Sequence, residues 1–211
     1  MCPDQGKDPR RRSLTVYTVT FATAAAPVRL MATAIAVASL LAVIAVGRAD
    51  GAGRSANAYL APEGACRSAG DATATAAVQA RAITCLVNWA RAQERRRGLV
   101  RRVALQQAAA LKGQRVASCG QFSHTPCGTP VTAGVNAAGY RYATFGENLY
   151  AGTWGNVSAR DVVLAWLESP PHRANILSPS YRDVGAAAVR ANGLLGGSDA
   201  VVWTATFGSR R

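Results

Sequence analysis

Along the 211 residues, apolar positions recur first without interruption, then at helical spacing, and finally in strand-like runs. Leu30 to Val46 carries seventeen residues without a charge. As a helix it would reach roughly 26 Å, just short of a ~30 Å hydrocarbon core. From Asp71, a favourable N-cap, the spacing of Ile83, Leu86, Val87 and Ala90 predicts a helix over 72–97, ended by Gly98. Leu105, Ala108, Ala109 and Val116 predict a second helix over 103–118. Lys112 falls on that same apolar face, where its stem would have to snorkel. A short helix or turn follows over 130–138 and stops at Gly139. Ser158 with Asp161 forms a capping box for a helix over 158–168, whose apolar stripe is Val162, Ala165 and Trp166. Pro170 and Pro171 then stop the helix, which places His172 just beyond a helix end. Two strands are expected near 183–190 and 200–207, with Asn192-Gly193 and Gly196-Gly197 between them.

This order divides the chain. Residues 1–29 read as a basic leader, and a start near Val28 would leave Val28 to Met31 as a short basic prelude to the apolar run. Residues 30–47 read as a signal peptide or signal anchor, with small residues near Gly47 suited to cleavage. The basic flank is N-terminal, so everything after the run is expected outside the cytoplasm, secreted or anchored. Residues 48–71, rich in Gly, Ala and Ser, read as a linker. Residues 72–209 form the folded domain.

Composition alters this picture at two points. The net charge of +13 comes from 22 arginines and 2 lysines set against 11 acidic residues. Such an excess suits anionic partners, but no nucleic-acid-binding motif accompanies it, so no nucleic acid partner is expected and a solvated basic surface is the plain reading. Beyond Cys2, the four cysteines Cys66, Cys85, Cys119 and Cys127 fit an oxidising compartment. They allow three connectivities. Pairing neighbours is the simplest, and a Cys119–Cys127 bridge would close a ring around His124.

The chemistry-bearing residues are sparse. G-x-S-x-G, H-E-x-x-H, phosphate-loop and dinucleotide-binding signatures are all missing. What remains is His124, Glu147 and His172, each expected in a break between regular elements, Glu147 within Gly146-Glu147-Asn148-Leu149. Two imidazoles and a carboxylate can perform general acid–base chemistry, and His124 with His172 can ligate zinc or another divalent cation. The structural alternatives are plain ones. Asn88 and Arg91 would bond helix to loop, Asn148 and Asn175 would cap turns, Trp166 and Trp203 would fill the core, and Phe122 would fill space beside the His124 loop.

Five ordered motifs carry a family resemblance over roughly residues 80–208, following Asn88-Trp89-Ala90-Arg91. They are Phe122-Ser123-His124; Gly146-Glu147-Asn148-Leu149; Trp166 to Leu177 with Ser169, His172, Arg173 and Asn175; Val184-Gly185-x-Ala187; and Trp203 with Phe207-Gly208. The chain resembles the bacterial branch of the CAP superfamily of cysteine-rich secretory proteins, antigen 5 and plant pathogenesis-related proteins. The resemblance implies an α+β fold, a three-layer α-β-α sandwich with a central antiparallel sheet, in an exported domain. It also implies a cavity holding His124, Glu147 and His172. Animal and plant members carry a second cavity glutamate where this chain has Ser169, which becomes a cavity-lining candidate. Glu168 does not replace it: about 200° around the helix from Trp166, against about 300° for Ser169, it points toward solvent. Pro171 stands where the family has a glycine. The expectation is a monomeric module binding an envelope polymer, peptide or lipid, with a metal held by the histidines as an added possibility. An envelope-acting hydrolase using His124, Glu147 and His172 is the alternative.

Overall fold

The computed structural model describes residues 54–196 and 199–211. The expected leader over 1–29, the apolar run over 30–47 and the first part of the expected linker lie outside the described residues. Among the described residues no helix is long and apolar enough to cross a membrane.

Helix α1 runs Ala76–Gln93 and buries Ile83, Leu86, Val87 and Ala90 completely, as their spacing predicted. Its cap differs from expectation. The Thr75 hydroxyl accepts from the Val78 amide, whereas Asp71 folds into a local turn by accepting from the amide and hydroxyl of Thr73. Asx turns of this kind compete with helix, so the start moves forward. The other end also falls early, at Gln93, before the arginine run and Gly98. Helix α2 covers Val103–Cys119, α3 Ala133–Ala137 and α4 Ala159–Glu168, the last with the predicted Ser158–Asp161 capping box.

Two expectations near the candidate residues are corrected. Gly146 to Leu149 is not a break but the middle of a twelve-residue strand, β2, Tyr142–Thr153. Gly146 serves there as a close-approach position, since a Cβ would lie 2.2 Å from the Tyr181 hydroxyl. Pro170 and Pro171 do end α4, but they also open a further helix, α5, Pro170–Leu177. Proline is tolerated in a first helical turn because the amides there lack intrahelical partners anyway. His172 therefore sits in the first turn of α5, not in a loop.

Strands β3 (Asp183–Arg190) and β4 (Ala200–Arg210) lie where expected, and a two-residue strand β1 (Val100–Arg101) joins them. The sheet order is β1-β3-β4-β2. The three long strands are antiparallel, and β1 alone pairs parallel, so the sheet is mixed at one edge. Alternation along β4 divides the core between its two faces. Val201, Trp203, Ala205 and Phe207 pack with α1, α4 and α5, while Val202 packs with Val116 of α2. The result is an α-β-α sandwich in the α+β class. Trp166 and Trp203 are fully buried core aromatics, anchored by Nε1 to the Leu149 carbonyl at 3.0 Å and to Gln79 Oε1 at 2.5 Å.

The segment ahead of α1, expected as a linker, contributes Tyr59, Leu60, Ala61, Cys66 and Ala69 to the larger core cluster. Cys66 bonds to Cys85 of α1, and Cys119 bonds to Cys127. The neighbour pairing thus holds for both bridges.

Candidate functional site

The site gathers at the β2 edge of the sheet. Because side chains alternate, Glu147 faces α2 while Asn148 faces α5. The Glu147 carboxylate is almost fully buried, and its Oε1 serves two partners: His124 Nδ1 at 2.8 Å and Lys112 Nζ at 3.2 Å. Lys112 is buried as well and also donates to the His124 backbone carbonyl. Lys112 thus pins both the carboxylate and the loop that carries the imidazole. The Cys119–Cys127 bridge closes that loop around His124. His124 itself is half exposed, with its Nε2 edge away from Glu147.

On the other side of β2, Asn148 donates to the His172 carbonyl at 3.0 Å, and Asn175 donates to Asn148 Oδ1 at 2.9 Å and to the Glu147 carbonyl at 3.3 Å. These asparagines lash α5 to the strand and do not cap turns as expected. His172 is half-buried. Burial first, and the charge of His124 second, push its pKa below the ordinary histidine value. The structure therefore joins His124 to Glu147 directly, and brings His172 within electrostatic reach of His124.

Ser169 sits at the joint of α4 and α5, where its backbone amide and carbonyl bond Ala165 and Arg173. Its side chain makes no capping bond to α5. Glu168 is exposed, as its helical angle predicted. Asn88 and Arg91 are the expected helix-to-loop bonders. Asn88 exchanges two hydrogen bonds with Leu99, and Arg91 donates to the carbonyls of Arg97, Ile176 and Ser178. Burial lowers the Arg91 pKa to about 10, with Arg182 and Arg96 adding to the effect. Phe122 is corrected: it does not fill space but stands 47% exposed two residues before His124.

Lys112 is the residue that sequence reasoning missed as a member of the site. Its one signal was a charge on an apolar helix stripe. Thr206, opposite Glu147 on β4, is buried with a hydroxyl that finds no partner among the described residues. Zinc sites use at least three protein ligands. Among the described residues no three His, Cys, Asp or Glu side chains are grouped to hold an ion, Glu147 is committed to Lys112, and His124 Nδ1 is committed to Glu147. The donor set does not fit a three-ligand metal site.

A sequence model of the CAP family, the Cysteine-rich secretory protein family, matches residues 70–207. Among solved structures, similar folds occur in an extracellular protein containing an SCP domain from Bacillus anthracis (TM-score 0.53, 18% identity) and an outer surface protein from Borrelia burgdorferi (0.53, 18%). A cysteine-rich secretory protein from Staphylococcus aureus is also similar (0.51, 16%). These cover 64%, 61% and 64% of this chain and 41%, 90% and 40% of their own. The chain thus spans about two fifths of the Bacillus and Staphylococcus proteins. No curated relative matches the sequence.

Proposed function

This chain belongs to the cysteine-rich secretory protein (CAP) family, and from that premise we propose that it is a non-catalytic binding module displayed outside the cell. In this reading it holds a polar ligand of the cell envelope at the His124–Glu147 edge of the sheet. Extracellular placement is supported by two disulfides, which suit an oxidising compartment, and by the extracellular and outer-surface description of similar proteins. The observation that carries binding over catalysis is the commitment of Glu147. Its buried carboxylate is tied to Lys112 and His124, and neither Ser169 nor the exposed Glu168 supplies a second carboxylate for acid–base work. What remains open to a ligand is the exposed half of His124, with Phe122, also exposed, two residues earlier in the same loop.

The test is sedimentation with isolated envelope fragments at about 0.5 M salt, where exposed arginines are screened. Wild type should co-sediment, and a His124→Ala, His172→Ala double variant should lose most of that binding. Equal binding by both overturns the reading. Zinc calorimetry should give the same heats for both proteins; a wild-type heat absent from the double variant would favour a metal held by His124 and His172.

One feature supports a hydrolase as the second reading. His124 Nδ1 bonded to a carboxylate resembles an oriented base with Nε2 free to take a proton. Release of soluble envelope fragments by wild type but not by Glu147→Gln would replace the binding reading with that one.

A further inference from the structure

We propose that the cleft at the Tyr142 end of the sheet is an anion site for the phosphodiester groups of an extracellular polymer. The proposal depends on the preceding reading only for the side of the membrane on which the ligand is met, and it does not involve the histidines. The cleft has a volume of about 580 Å³ and is lined by Ala104, Gly139, Tyr140, Arg141, Arg210 and Arg211. A neighbouring hollow of about 280 Å³ shares Gly139, Tyr140, Arg141 and Arg211 and adds Tyr142. The two hollows thus adjoin along these shared residues.

Its arginines are held in place. Asp183, buried at the start of β3, accepts from Arg102 Nε at 2.8 Å and from the Tyr140 hydroxyl at 2.8 Å. The same carboxylate lies 3.8 Å from Arg210 Nε, and the Arg210 guanidinium sits 5.9 Å from the centre of the Tyr140 ring. Arg211 Nε donates to the Tyr142 carbonyl at 2.9 Å. Arg102 and Arg211 are each anchored by a hydrogen bond through Nε, and Arg210 by a looser ion pair. Among the described residues their terminal nitrogens have no such anchor, and Arg141 adds a further exposed guanidinium. Asp183, buried and already bonded, pairs with Arg102 and Arg210, while Arg141 and Arg211 line the cleft without a carboxylate partner among the described residues.

An arginine fork matches the paired oxygens of a phosphate. Anchoring the fork beforehand reduces the ordering cost of binding. The cleft offers no free aromatic face on which bases could stack, because Tyr140 is buried and Tyr142 is packed against Phe145. The cleft therefore lacks the stacking platform on which single-stranded nucleic acid is held.

The experiment measures binding of a synthetic poly(glycerol phosphate) chain by the purified protein between about 50 and 200 mM salt. Arg141→Ser with Arg211→Ser removes two cleft charges. Arg96→Ser with Arg97→Ser removes two exposed charges elsewhere. All four side chains are exposed, so thermal melting should be unchanged in both variants. The cleft variant should bind about tenfold or more weakly, with a log–log salt slope shallower by about 1.4–1.8 from two lost phosphate contacts. The distal variant should change less than about threefold, and His124→Ala with His172→Ala should leave the binding intact, which separates this site from the histidine edge. Equal loss in both arginine variants would reduce the effect to net charge and overturn the proposal. So would equal binding of polygalacturonate or single-stranded DNA, or no binding by wild type.

Discussion

At Glu147 one carboxylate oxygen serves an imidazole and an ammonium; the ammonium contact is nearly dry, whereas the imidazole is half exposed. Burying a lone charge is costly, so each partner of such a cluster needs the others. Lys112 shows why this was hard to read from sequence. A lysine on an apolar stripe is consistent with snorkelling, and its carboxylate partner lies 35 residues away on another element. His172 gives the prediction at this scale. Its pKa is lowered in the fold, so between the unfolded value near 6.5 and the depressed folded value the unfolded chain binds more protons. Stability should therefore fall as pH drops through that window, and the loss should stop growing once both states are protonated. Urea midpoints at pH 7.5 and 5 should decline more for wild type than for His172→Gln. Parallel declines would show that burial of His172 carries no pH dependence.

Among the elements, the spacing of apolar residues located α1, α2, α4, β3 and β4 to within a few residues. It could not recognise β2, because Gly146, Glu147 and Asn148 interrupt any apolar alternation. Their reasons for being in a strand are tertiary: Gly146 admits the Tyr181 hydroxyl, Glu147 meets Lys112 and Asn148 meets α5. The double proline was read as a stop, whereas its fixed φ serves equally well to start α5. Close packing of α2 on β3 yields a second prediction. A Cβ on Gly185 would lie 2.1 Å from the Gln106 amide nitrogen and 2.2 Å from the Leu105 carbonyl carbon, both rigid helix backbone. Gly185→Ala should therefore cost at least about 3 kcal/mol in urea unfolding, because the helix must lift from the sheet. A loss below about 1 kcal/mol would mean that α2 slides freely, contrary to an overpacked contact.

For the molecule as a whole, the folded unit begins earlier than hydrophobic periodicity suggested. Tyr59, Leu60 and Ala61 are buried against the same cluster as α1 and α4, Arg160 donates to the Ala61 carbonyl, and Cys66 is bonded to Cys85. A chain beginning at residue 72 loses the bridge, worth about 2–5 kcal/mol, and several buried side chains at about 1.5–3 kcal/mol each. Against a total stability of about 5–15 kcal/mol, it should melt far below a chain beginning at residue 54, or fail to fold. Equal melting temperatures would show that the lead-in merely rests on the domain.

The sequence by itself determined the fold class and the family, and singled out His124, Glu147 and His172 as the candidate site residues. Periodicity is a local property, and the ordered motifs survive without any knowledge of packing. Only the tertiary structure decided that Lys112 joins His124 and Glu147, that Asn148 and Asn175 tie His172 to the same strand, and that Asp183 gathers arginines from two separate stretches. Each of these depends on which face of an edge strand a residue occupies and on what crosses above it, and that information lies in no local spacing.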